Sequence, residues 1–140
     1  MDYQTAVTTH FIPRCTAALN SIRDLLLAAG VPANRVVVEM VDSNDLRFRI
    51  TATRGARIFI AYIELTSAGI ANPNTPEAQA IAVLTFYAEG GGSEITHSYS
   101  AGVPLPYTTD AGIDSLLVKL TQVENTTTEV GVKARAYLGV

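Results

Sequence analysis

The stretch RVVVEMVDSNDLRFRITAT, Arg35 to Thr53, decides the fold. Two β-branched runs, Arg35 to Val41 and Leu46 to Thr53, flank the turn-forming quartet Asp42 to Asp45, which is the pattern of an antiparallel hairpin. In the second run Leu46, Phe48, Ile50 and Ala52 fall on one face and Arg47, Arg49, Thr51 and Thr53 on the other, so the core side is fixed by alternation. A loop of Ser43 to Asp45 sets Val38 against Ile50, Met40 against Phe48 and Glu39 against Arg49. A two-residue loop would instead bring Glu39 beside Phe48 on the core face, and the longer loop is therefore expected.

Working outward, Arg57 to Leu65 (RIFIAYIEL) and Ala78 to Ala88 (AQAIAVLTFYA) are apolar on both faces. That reads as the middle of a sheet with cover on each side. The segment between them, SAGIANPNTPE, carries two prolines and reads as a long exposed connection. Glu94 to Ser100 is a more polar strand, after which Pro104 and Pro106 should end the ladder.

Upstream, Phe11, Cys15, Leu19, Ile22, Leu26 and Ala29 recur at spacings of three and four, the mark of one buried helical face. This helix starts near Asp2 and bends at Pro13, or restarts there, and Gly30 with Pro32 ends it. Downstream, Thr109 or Asp110 caps a second helix bearing Ile113, Leu116, Leu117 and Leu120. From Val130 to Val140 apolar and polar residues alternate, which predicts a last strand. With 140 residues and 48% hydrophobic content the chain is expected to be a single α+β domain, 1–140. Its mainly antiparallel sheet has five to six strands, with an N-terminal helix and a second helix before the C-terminal strand.

The residues give little chemistry. The glycine run in FYAEGGGSEITH, Phe86 to His97, leads into a strand rather than a helix and lacks a following Lys-Ser or Lys-Thr. Glu89 and Glu94 flank it, so it reads as a turn and not as a phosphate cradle. His97 and Ser98 are strand neighbours pointing to opposite faces, which rules out a direct nucleophile pair. Two distant histidines, one cysteine and no clustered acids offer no metal site, and Cys15 sits on the apolar helical stripe as an inert thiol. No catalytic residue, metal or cofactor is assigned, and the chain is read as a non-enzyme.

Charge is more informative. Arg35, Arg47, Arg49, Arg54 and Arg57 crowd the hairpin region, whereas Ile58 to Val118 holds no Lys or Arg but does hold Glu64, Glu77, Glu89, Glu94, Asp110 and Asp114. Eight of the ten basic residues are arginine, the type favoured at protein interfaces, and only 16% of residues are charged. Arg47, Arg49, Arg54 and Arg57 on one copy and Glu64, Glu77, Glu89 and Glu94 on the next are the candidate interface of a homo-oligomer. The competing reading pairs them within one sheet, Arg49 with Glu39. A net charge of −3, with no aromatic residues interleaved among the arginines, argues against nucleic acid.

The expected function is therefore a structural or assembly protein whose copies join head to tail. The order of elements resembles that of small phage tail-completion and head-tail joining proteins, which implies a virion or tail component. One alternative is an adaptor or secretion-chaperone-like dimer binding a client peptide. Another is a small-molecule site or enzyme lined by Tyr62, Tyr87, His97 and Tyr99. The start MDYQTAVTTH lacks the basic residues and apolar run of a secretory signal, and no window approaches 18 apolar residues. The expected location is the cytoplasm, or a virion after cytoplasmic synthesis, with no membrane association.

Overall fold

The computed structural model describes residues 3–42, 46–66, 81–90, 97–104 and 110–140. Its frame is one antiparallel sheet of five strands in the order β1-β2-β3-β4-β5, each strand pairing with its sequence neighbour. The strands are β1 (Val36–Asp42), β2 (Arg47–Arg54), β3 (Arg57–Thr66), β4 (Ile81–Glu89) and β5 (His97–Pro104). The α+β class and the meander follow the reading of the sequence.

The hairpin register is the expected one over most of its length: Val38 pairs with Ile50, Glu39 with Arg49 and Met40 with Phe48. Near the loop it shifts, and Asp42 pairs with Arg47 through a bulge between Met40 and Asp42. The loop residues 43–45 lie outside the described residues. β5 runs on to Pro104, two strand positions past the glycine. A proline is tolerated there because β5 is an edge among the described strands, where one side of the backbone has no described ladder to donate to.

The N-terminal helix forms with one irregularity. α1 (Tyr3–Ala6) passes through a π-helical turn, Val7–Phe11, into α2 (Ile12–Ala28), and the Ile12 N–H reaches back five residues to the Val7 carbonyl. Pro13 explains it: proline has no N–H to give to the carbonyl four residues earlier, and its ring clashes with that carbonyl. The wider turn removes the clash without stopping the helix. Phe11, Cys15, Leu19, Ile22 and Leu26 are buried as the spacing predicts. Gly30 ends α2 with φ 105°, and the Val31 N–H closes on the Leu26 carbonyl at 3.1 Å.

The C-terminal segment corrects the sequence reading. Instead of a sixth strand, the chain after α3 (Asp110–Asn125) forms α4 (Thr127–Leu138). Alternation was one of two periods present there. Val130, Ala134 and Leu138 also recur at four, and these are buried together with Gly131, while Val132 and Ala136 face outward. The helical reading wins because small Gly131 and Ala134 let α4 pack closely on α2, where a Cβ at Gly131 would stand 3.1 Å from a Leu25 methyl. Gly139 closes the helix in the left-handed region at φ 78°, with the Val140 N–H on the Arg135 carbonyl.

Thr126 and Thr127 cap the end of α3, their hydroxyls donating to the Val123 and Glu124 carbonyls, each at 2.9 Å. Thr109 lies outside the described residues. Arg14 of α2 ties α3 from the side. Its Nε donates to Glu124 at 3.0 Å and its Nη2 to Thr121 at 3.0 Å, and the Glu124 hydrogen bond raises the Arg14 pKa.

The helices form a single layer. α2 packs over β1 and β2, α4 over β3, and α3 over β4 and β5. Between the layers lies the core, with Phe48, Ile50, Phe59, Ile63, Leu84 and Phe86 from the sheet against Phe11, Leu19, Ile22, Leu26, Leu120 and Val130 from the helices. No described element covers the other face of the sheet. The expectation that β3 and β4 are central is met; of the expected cover on both sides, the described helices supply one, and the connection 67–80 lies outside the described residues.

Candidate functional site

The open face of the sheet is built by the alternate residues of all five strands. From register it carries Val37 and Glu39 of β1, Arg47, Arg49, Thr51 and Thr53 of β2, Ile58, Ile60, Tyr62 and Glu64 of β3, Val83, Thr85, Tyr87 and Glu89 of β4, and Ser98 and Ser100 of β5. A sheet that meets water on one side normally shows polar residues there. Here β2 and β5 obey that rule, but β3 and β4 place Ile58, Ile60, Tyr62, Val83 and Tyr87 on the uncovered side. Ile58 is 50% exposed, as much as Val37 at the β1 edge.

The aromatic pair sits at the middle of this surface. Tyr62 and Tyr87 are cross-strand partners whose rings stack at 5.0 Å and 25°. The Arg47 guanidinium lies 5.9 Å from the Tyr62 centroid, and its Nε holds Glu64. Arg49 bonds Glu39 across β1 and β2, and the Glu39 and Tyr62 hydrogen bonds raise its pKa. Burial between its neighbours, with the nearby Tyr62, raises the Tyr87 pKa.

The residues expected at an interface are thus divided. Arg47, Arg49, Glu64 and Glu89 come together on the open face, and two arginines of that group pair with carboxylates of their own sheet, as the competing reading held. Arg54 and Arg57 belong to the other side of the sheet, at the end of α4. Arg54 Nη1 donates to the Leu138 carbonyl at 2.8 Å, and Arg57 donates to the Tyr137 carbonyl. Glu77 and Glu94 lie outside the described residues. What sequence reading missed was Ile58, Ile60 and Val83 as surface residues, and the signal was there in the doubly apolar β3 and β4.

The four residues suggested as a pocket lining are also separated. Tyr62 and Tyr87 lie on the open face, while His97 and Tyr99 point toward the helices, His97 edge-on to Phe86 at 5.1 Å. They cannot line one cavity. His97 is half-buried, its Nε2 has no hydrogen-bond partner, and burial is the main cause of its lowered pKa, with Glu129 opposing and Lys133 assisting. Ser98 is on the opposite face. Cys15 is fully buried, and burial pushes its thiol well above the ordinary range, so no thiolate is presented.

The glycine-rich connection after β4 joins two adjacent antiparallel strands, since Ala88 pairs with His97. It enters no helix, and residues 91–96 lie outside the described residues. Among the described residues no three His, Cys, Asp or Glu side chains gather at a point, and no helix is long and apolar enough to cross a membrane. Compared with known protein families, curated proteins and solved structures, the chain matches none.

Proposed function

We propose that this chain is a non-catalytic assembly protein whose copies associate through the open face of the sheet. One observation carries the reading: Ile58, Ile60, Tyr62, Val83 and Tyr87 stand on a side of the sheet that no described helix covers. Ile58, Ile60, Tyr62 and Tyr87 form one apolar and aromatic strip bordered by polar groups, with Val83 apart from it beyond Thr85, and such a strip is the composition of a protein contact surface. The border charges support the same reading. Arg47 with Glu64 and Arg49 with Glu39 are already neutralised, so a partner can cover them without burying a lone charge.

Five strands about 4.8 Å apart and about seven residues deep span roughly 550 Å² in projection. That is a modest contact beside the ~800 Å² per partner of a stable complex. Two such faces would meet as the layers of a sandwich. The head-to-tail charge scheme loses support, because its arginines are engaged within the chain. A virion or tail component remains the finer setting of this proposal; the low charge supports it, whereas the element order does not, because the segment read as a last strand is α4. Arginines already bound to carboxylates and carbonyls give no support to nucleic-acid binding.

The test is solution mass by light scattering across concentration, for the wild type and for Ile58→Glu with Val83→Glu. The expected result is a concentration-dependent oligomer that the double variant loses while keeping its circular dichroism and melting transition. A wild type that stays monomeric throughout removes the reading.

A further inference from the structure

The two edges of the sheet are unlike each other. β5 carries Ser98 and Ser100 on its open side and ends in Pro104, both of which discourage strand addition. β1 reads VVVEMVD, with no proline, lysine or arginine. Three of the seven exposed large apolar side chains among the described residues, Val37, Met40 and Val41, lie on it. Its bulge falls after Met40, which leaves Val36 to Met40 regular. No described strand pairs with its outer side. A largely apolar edge of this kind, charged in its regular part only at Glu39, is a template for another strand.

We propose that β1 pairs antiparallel with β1 of a second copy across a twofold axis, joining the two sheets edge to edge. The choice of a second copy rests on the assembly reading above, but the surface is a different one. Charge selects the register. Centring the pair on Glu39 opposes two carboxylates, and centring it on Val38 sets each Glu39 against a valine. Centring on Val37 sets Arg35 of each copy opposite Glu39 of the other, twice by symmetry, with Val36 against Val38 on the helix side.

Both groups are available for this. Arg35 ends the 3-10 turn Ala33–Arg35 that leads directly into β1, is exposed and has no side-chain partner among the described residues, while Glu39 engages Arg49 through Oε1 and keeps a second oxygen. Opposed residues in an antiparallel pair share a face, so both helix layers fall on one side and the two open faces become continuous.

The experiment is sedimentation and light scattering of the full chain. With Val37→Lys the dimer dissociation constant rises about tenfold or more, because two like charges then meet at the dyad, and Arg35→Glu has a similar effect while Arg35→Lys does not. Val132→Lys, on the solvent side of α4 and as exposed as Val37, lies in neither surface and leaves the dimer in place. Val37→Cys gives a disulfide-linked dimer on mild oxidation, since Cys15 is buried. A wild type monomeric at every concentration overturns both the edge pairing and the assembly reading. Oligomers that survive Val37→Lys and Arg35→Glu but dissolve on Ile58→Glu with Val83→Glu overturn the edge pairing alone. A dimer lost on Val37→Lys and kept by the face variants supports the edge and removes the face.

Discussion

Arg57 at the first residue of β3 reaches Tyr137 in the last turn of α4, donating to its carbonyl and lying 5.3 Å from its ring centroid. Arg54, the cross-strand partner of Arg57, donates to the next carbonyl, Leu138. The last carbonyls of a helix lack intrahelical donors and carry its negative pole, so cations there are favourable. The β2–β3 turn therefore fastens the end of α4 to the sheet.

Arg54→Ala and Arg57→Ala each cost about 1 kcal/mol of stability through loss of this cap. Thermal and urea unfolding will show it, and the effects of the two should not sum fully because they share one helix end. Solution mass should be unchanged. An oligomer lost with either variant, at full stability, would return these arginines to an interface.

How far the sequence could be read follows from which signals were unambiguous. Phe48, Ile50 and Ala52 alternate with charged and hydroxyl residues, so one register buried them all and Val38, Glu39 and Met40 fell into place. The bulge at Val41 had no comparable signal. Val130 to Val140 fitted two periods, and packing on α2 decided between them, a fact about Leu25 and Gly131 that lies 106 residues away in the chain. The open face was half legible: apolar β3 and β4 implied two faces in need of cover, and the described helices cover one. Which arginine meets which acceptor depended on a helix end that was read as a strand.

His97 makes stability depend on pH. Its folded pKa is lowered from 6.5, chiefly by burial, with Glu129 of α4 opposing and Lys133 of α4 assisting. Between the folded and unfolded values the unfolded chain binds more protons, so stability rises with pH there. It is full above about 6.5, is lost as pH falls through the folded pKa, and changes no further below it on this account. His97→Phe removes the titration beside Phe86. The melting temperature of the wild type should drop more than that of the variant between about pH 7.5 and pH 5. Equal drops would show that His97 stays solvated.

Gly131 measures the closeness of α2 and α4. Gly131→Ala gains up to about 1 kcal/mol of helix propensity and pushes on a flexible, half-buried Leu25 side chain that can yield, so the variant should be as stable as the wild type or slightly more so. Gly131→Leu forces a full side chain into the same contact and should cost about 2 kcal/mol or more. If both variants melt like the wild type, the helices are not in contact at this point.

Arg47 and Glu64 decide how charge variants of the open face are to be interpreted. Arg47 Nε holds Glu64 Oε2 at 2.5 Å across β2 and β3, and its guanidinium also lies over Tyr62. Arg47→Glu sets two carboxylates side by side and removes the cation from the ring. The expected cost is about 1 to 2 kcal/mol, decreasing in high salt because the Arg47 side chain is well exposed. Adding Glu64→Arg should return most of it, since the pair is then reversed rather than broken. A loss of assembly in Arg47→Glu alone would therefore report on folding as much as on a surface. Loss that persists in the swapped pair, with the melting temperature restored, assigns the charges to a contact between copies; assembly regained by the swap leaves them as a tie within one sheet.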